Sequence, residues 1–367
     1  MKRNTFLSVF GVLGILLTIT TGVVLYASGY RLDFTKRALT ETGMILAKSV
    51  PDGASVYLDG DLVAATDSTI TSLNVGSYTL KIEKEGFASW EKTVEVKEGL
   101  VTNITALLPP ISPSFTAITQ NGAQLISSAP SGTKAAFISA DKLYLLPLNS
   151  QFLGFLRTRP QEIAEEPTDV DFSKATKLLF SPNENQILVI TPSNDLLVTI
   201  GQGESQILTN TTKLTKSWGD ERLEHKAEVI KDLEVANDLK DTALSAGSSW
   251  APDERKLLYT KTQGQKTEFW VANFSDPLPV GESLDQKIWE TENSKLKFFW
   301  LADSHHFILI SGKTVSLIDI DGSNKRDLYS GNLAERIALS STDLAQVIIL
   351  TSLSPTSGDN LYGISLR

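Results

Sequence analysis

The chain has 367 residues, a formal net charge of −9, three histidines and no cysteine. This length exceeds one small core and points to two or three units. The acidic balance argues against a nucleic-acid partner, which needs a concentrated basic face. The lack of cysteine excludes disulfides, thiolate nucleophiles, zinc–thiolate sites and a lipidated cysteine.

Met1 to Asn4 is a short basic tail, and Phe6 to Ala27 carry no charge. At about 1.5 Å per residue a helix over this run is long enough to cross a bilayer core of about 30 Å. Residues 1–28 are therefore expected to be a tail and transmembrane anchor. Gly11 and Gly14 are three apart, so they do not form a G-x-x-x-G dimer face. Tyr26 and Tyr30 stand where interfacial aromatics are expected. The competing reading is a cleaved signal peptide ending near Ala27-Ser28-Gly29. The flanking charges, Lys2 and Arg3 against Arg31, Lys36 and Arg37, nearly balance. A short tail before a large acidic body favours a cytoplasmic N-terminus and an extracytoplasmic body. Residues 29–48 read as an extended juxtamembrane linker.

Residues 49–110 have the pattern of a small β domain. Val56 and Leu58 alternate with Tyr57; Tyr78, Leu80 and Ile82 alternate with Thr79, Lys81 and Glu83. Asp59-Gly60 is a tight-turn dipeptide. Thr93 to Val96 and Asn103 to Leu107 repeat the alternation.

Pro51, Gly53, Ala54, Val56, Tyr57, Asp59, Gly60, Leu73, Gly76, Tyr78, Gly86, Phe87 and Trp90 together resemble the PEGA family, a β-sandwich-like module of prokaryotic surface proteins. The departures are at turns: Asp52 in place of Glu, Ala64-Ala65-Thr66-Asp67 in place of Gly-x-Thr-Pro, and Val75 in place of Pro. The resemblance implies a body outside the cytoplasmic membrane. Gly29 to Asp33 is similar to a juxtamembrane element of membrane-anchored PEGA proteins.

Pro109-Pro110-Ile111-Ser112-Pro113 is a stiff joint, because proline lacks the donor that a ladder needs. From Ser114 to Arg367 strand–turn–strand units recur, beginning near Ser127, Lys177, Ser248, Phe298 and Ile337. Repeats of this kind, roughly 40 to 50 residues long, predict a β-propeller; five units are clear, and the blade number is five or six. Phe115 to Ile118 is placed to complete the last blade beside Leu361 to Leu366 and remove an exposed edge. Trp250-Ala251-Pro252-Asp253-Glu254-Arg255-Lys256 and Leu317-Ile318-Asp319-Ile320-Asp321-Gly322 resemble blades of TolB-like propellers. Residues 217–244 are charge-dense, with Leu223, Ala227, Ile230 and Leu233 at helical spacing. They read as a helical insertion between blades, solvated on the rim, or as a worn blade with a long loop.

Candidate chemistry is sparse. His305 and His306 are consecutive and point to opposite faces of a strand, so they do not share a metal. Asp303-Ser304-His305 has triad residue types without triad spacing. Ser131-Gly132-Thr133-Lys134 matches S-x-x-K but falls in a turn, not at a helix start. Gly201-Gln202-Gly203 lacks the third glycine of a dinucleotide loop. Asp319 to Asn324 has the spaced oxygens of a calcium loop without its terminal Glu. Asn103-Ile104-Thr105 and Asn210-Thr211-Thr212 are glycosylation sequons. Trp90 reads as core rather than as a sugar platform.

The expectation is a mainly β protein: N-terminal transmembrane helix, PEGA-like sandwich, then a propeller of about five or six blades. It would act as a non-enzymatic, membrane-anchored envelope scaffold. The propeller would be the platform for a protein or glycan partner and the PEGA unit a spacer. No catalytic residue, metal ligand or cofactor is assigned. The alternative is a hydrolase or lyase with its site in the propeller channel.

Overall fold

The computed structural model describes residues 3–27, 30–33, 38–149, 159–233, 235–245, 248–292, 295–353 and 358–367. Lys2, Ser28, Gly29, Lys36 and Arg37, on which the cleavage-site and charge-balance arguments rest, lie outside them. The chain divides into two compact units, the first holding most of residues 1–108 and the second most of 109–367.

Helix α1 (Arg3–Ala27) has no charged residue after its first. Its side chains are described from Phe10 to Val24, where the large apolar ones are 55–69 % exposed. The Thr18 and Thr20 hydroxyls donate to the Gly14 and Leu16 carbonyls one turn back, at 2.9 and 2.8 Å, so neither needs a solvent partner. Among the described residues no helix is long and apolar enough to cross a membrane. The expected transmembrane helix therefore finds no support in the described residues.

The first unit continues through β1 (Tyr30–Asp33), β2 (Ala38–Val50), β3 (Ser55–Leu58), β4 (Asp61–Ala65), β5 (Ser68–Asn74), β6 (Gly76–Glu83), β7 (Trp90–Val96) and β8 (Val101–Leu107). One sheet runs β4-β3-β6-β7. In the other, β2 pairs antiparallel with β1 and β5 and parallel with β8. Much of the segment expected as a linker is thus strand, and β2 is the hub of its sheet. Val56, Leu58, Leu80, Ile82, Val94 and Val96 are buried, as are Ile45, Ala47, Ala106 and Leu107 of the other sheet. Burial of each large apolar side chain contributes about 1.5–3 kcal/mol. Trp90 joins this core at 3 % exposure. Asp59 and Gly60 both have positive φ, 51° and 95°, the geometry of a two-residue hairpin turn that matches strand twist.

The second unit contains five four-stranded antiparallel sheets. Blade 1 is Gln124–Ser128, Lys134–Ser139, Lys142–Pro147 and Gln161–Glu165; blade 2 is Lys177–Phe180, Gln186–Ile190, Asp195–Thr199 and Glu204–Leu208. Blade 3 is Ser249–Trp250, Lys256–Gln263, Lys266–Asn273 and Asp285–Thr291; blade 4 is Lys297–Trp300, His306–Ser311, Thr314–Asp319 and Arg326–Ser330. Blade 5 is Leu333–Ser340, Gln346–Thr351 and Asn360–Ser365, and its fourth strand is β9 (Phe115–Ala117). Tyr362 lies opposite Ala117 and Ile364 opposite Phe115. The expected closing strand is therefore present, and the blade number among the described residues is five.

A single turn recurs between the first and second strands of every blade. Its residues are Ala129–Lys134, Ser181–Gln186, Ala251–Lys256, Leu301–His306 and Ser341–Gln346. In each, the first residue's N–H donates to the sixth residue's carbonyl, and the fourth residue's N–H to the first's carbonyl, all at 2.9–3.2 Å. The fourth residue always has positive φ: Gly132, Glu184, Glu254, Ser304 and Leu344 lie between 55° and 66°. An oxygen on the third residue's side chain (Ser131, Asn183, Asp253, Asp303, Asp343) accepts the fifth residue's N–H. Short polar side chains favour this local bond, so the turn selects them.

Shared cores join neighbouring blades. Ala136, Ile138 and Leu143 of blade 1 pack with Leu178, Ile187 and Val189 of blade 2. Phe137 and Leu146 of blade 1 meet Ile348 and Leu361 of blade 5. Leu258 and Val271 of blade 3 meet Phe298 and Phe307 of blade 4. Between blades 2 and 3 the chain inserts two helices, α2 (Thr212–Lys231) and α3 (Asn237–Leu244). The insertion thus starts five residues before the expected 217. Ile230 and Val235 with Ala243 of α3 pack on Leu257, Tyr259 and Ala272 of blade 3.

Candidate binding site at the propeller axis

The first strands of blades 1 and 2, of blades 1 and 5, and of blades 4 and 5 contact one another, which places them innermost. Their turns accordingly gather around one end of the axis. There a cavity of about 710 Å³ is lined by the turns of blades 1, 2 and 3, by Trp300 of blade 4, and by one face of α2.

The apolar part of the lining is Pro130, Pro182, Pro252, Val229, Trp250 and Trp300. Both indoles have their N–H groups committed: Trp250 Nε1 donates to the Ala243 carbonyl and Trp300 Nε1 to the Ser249 carbonyl, each at 3.0 Å. Trp300 is also braced by the Phe307 ring, centroids 4.1 Å apart. The tryptophans are thereby fixed in orientation, and binding energy would not be lost in ordering them.

The polar lining serves largely to fix the walls. Glu184 Oε1 accepts the Ser131 N–H at 2.5 Å and Glu184 Oε2 lies 3.2 Å from Lys134 Nζ, tying blade 2 to blade 1. Burial alone would raise the Glu184 carboxyl; the Ser131 amide and hydroxyl and Lys134 together hold it below its usual value. Across the next direct interface the Asp253 N–H donates to Ser304 Oγ at 3.0 Å. On α2, Arg222 donates to the Phe180 carbonyl at 3.1 Å, and His225 lies 2.7 Å from Glu254. Lys226 donates to the Ser245 carbonyl and to Ser248 Oγ. Burial, and then the neighbouring Arg222, lower the Lys226 ammonium from its ordinary value. The insertion is thus pinned over the axis from both sides, not spread on the rim.

The other sequence candidates fall into structural roles. Ser131 and Thr133 share a hydroxyl bond of 2.7 Å within their turn, and Lys134 is paired with Glu184. His305 is exposed and His306 is buried. The carboxylate of Asp303 meets His306 Nδ1 at 2.6 Å, not the ring of His305. Asp319 accepts from Asn324 Nδ2 at 3.0 Å, and Asp321 from Ser323 Oγ at 2.6 Å, so these oxygens close a turn. Among the described residues no group of three or more His, Asp or Glu is placed to hold a metal ion. The cavity itself was not legible in the sequence. It exists because α2 folds back over turns from three blades; the one local signal was the recurrent Pro at Pro130, Pro182 and Pro252.

Comparison with known proteins gives one family match: the PEGA domain model covers residues 42–112. No match is found among curated proteins. Among solved structures, the chain is similar to a protein from Agrobacterium tumefaciens that carries the name TolB, with 12 % identity over 69 % of this chain and 90 % of that one, TM-score 0.26. TolB from Acinetobacter baumannii has 14 % identity over 78 % of this chain and 59 % of that one, TM-score 0.27. The Cps50 (Swd1) β-propeller domain of Myceliophteria thermophila has 9 % identity over 69 % of this chain and all of that one, TM-score 0.33. The family match begins inside β2, where the sandwich begins, and from it residues 42–112 are identified as a PEGA domain.

Proposed function

We propose that this protein is a membrane-anchored binding protein of the cell envelope, with α1 as anchor, the PEGA domain as spacer and the propeller as the binding module. The observation that carries the reading is the axial cavity. Its prolines and two braced tryptophans form an apolar trough, while its charged groups are spent on holding the walls. Such a surface fits an extended peptide segment of a protein partner: flat apolar faces take side chains of varied shape, and the exposed carboxylate of Glu221 on the rim favours a basic residue beside it. A body outside the cytoplasm is part of the proposal.

The test titrates detergent-solubilised full chain with an immobilised library of extended peptides, in the wild type and in Glu221→Lys. Binding of a set enriched in basic residues, weakened by the charge reversal, supports the reading. Binding that is absent, or equal in both proteins, overturns it. Protease treatment of intact cells with a C-terminal epitope tests the placement: a tag lost before lysis supports an outward body, and a tag lost only after lysis opposes it.

A further inference from the structure

One end of the PEGA unit carries exposed apolar side chains: Val75 is 56 % exposed, Leu100 47 % and Val101 38 %. They come from two separate places, the β5–β6 turn and the β7–β8 turn with the start of β8. The register brings them together. Gly76 lies opposite Val96, so Val75 and the turn leading to Leu100 share one level. Tyr78 is half-buried there, and its hydroxyl donates to the Asn74 carbonyl at 2.9 Å.

The same end is where the chain arrives from α1. Tyr30, three residues after the helix, pairs with Glu41. The next residue, Thr42, pairs with Asn74 and accepts the Gly99 N–H. The exit of the apolar helix and the exposed Val75 and Leu100 therefore lie within a few residues of one level. Exposed valine and leucine at turn tips, with a tyrosine behind them, form the pattern of a shallow membrane-interface contact.

We propose that this end of the PEGA unit is seated in the headgroup region of the bilayer that takes α1, with Val75 and Leu100 inserted and Tyr78 at the level of the headgroups. The inference rests on the anchor reading. Glu98 stands in the β7–β8 turn and Lys97 lies 3.5 Å from Glu95, so the contact is apolar rather than electrostatic and does not require anionic lipid.

The chain has no cysteine, so single labels are clean. Full-length protein is reconstituted in phosphatidylcholine vesicles carrying headgroup-level or acyl-chain nitroxides. An environment-sensitive fluorophore is placed at Val75→Cys, Leu100→Cys, Ile15→Cys in α1, or Asp52→Cys at the opposite end of the unit. The expected result is headgroup-level quenching at positions 75 and 100 at least about twofold above that at 52, unchanged by anionic lipid, with acyl-chain quenching at 15. Quenching at 15 with positions 75 and 100 equal to 52 overturns the inference and leaves the anchor standing. No quenching at 15 removes the anchor reading and the inference with it. A disulfide-linked dimer of the Val75→Cys variant, with no lipid quenching, would mean that a second copy covers this end and also overturns it.

Discussion

Asp303 offers a quantitative test of the turn in blade 4. Its carboxylate accepts from His306 Nδ1 at 2.6 Å and from the His305 and His306 amides at 3.0 and 3.2 Å. On its far side His306 Nε2 lies 3.5 Å from Asp319. Burial alone would raise the Asp303 carboxyl, but the His306 charge and hydrogen bond, with the His305 amide, bring it from 3.8 down to about 2. A folded value below the unfolded one means the stabilisation is complete above about pH 5 and is lost as the pH falls toward 2. A difference of nearly two pH units corresponds to about 2 kcal/mol. Asp303→Asn cannot titrate, so it supplies the reference. Urea unfolding of the full chain in detergent, followed by tryptophan emission, is expected to show the wild type more stable than Asp303→Asn at pH 5. That gap is expected to shrink by about 2 kcal/mol on going to pH 2. A gap that is constant over this range would refute the assignment of the His306–Asp303 pair as a stabilising ion pair.

Gly43→Ala is expected to destabilise the PEGA unit by about 1–3 kcal/mol in thermal unfolding, because an added Cβ would lie 2.3 Å from the Lys97 carbonyl and 2.6 Å from Val96 Cγ1. Asp253→Ala should cost about 3–5 kcal/mol, since Lys256 is buried to 4 % side-chain exposure with Asp253 Oδ2 at 2.7 Å; Asp253→Asn should recover part of the loss in the same urea assay. Thr116→Pro, opposite Gly363 in the closing pair, should cost about 3 kcal/mol and raise amide exchange across Asn360–Ser365 while leaving blade 3 protected.

Much of this architecture could be read from local chemistry. The hairpin at Asp59-Gly60, the alternation through Leu80 and Ile82, and the Pro182-Asn183 and Pro252-Asp253 turns of blades 2 and 3 each carry their own signal within a few residues. The parts that could not be read are those decided by distant partners. β2 resembled a linker because the neighbour that defines it as a strand, β8, pairs Met44 with Val101 across the whole domain. The blade 5 turn was obscure because Leu344 occupies a left-handed position that its side chain disfavours, φ 56°, and the surrounding ladder imposes it. The axial cavity had the weakest signal. Helical spacing in α2 announced a helix, but Ile230 alone among Leu223, Ala227, Ile230 and Leu233 is buried, so periodicity did not indicate which surface the helix would cover.

The strand β9 has a consequence for how the chain comes to be made. It is synthesised first among the propeller strands and is used last: the bond between Ser114 and Ser365 joins residues 251 apart. At about 5–20 residues per second, roughly 10–50 s pass between the appearance of β9 and that of its partner. Throughout that time the five blades have no ring, and Phe115–Ala117 must stay unpaired. When Asn360–Ser365 emerges it is an open edge until β9 reaches it. The failure that these two short strands invite is strand exchange between chains rather than collapse of any single blade.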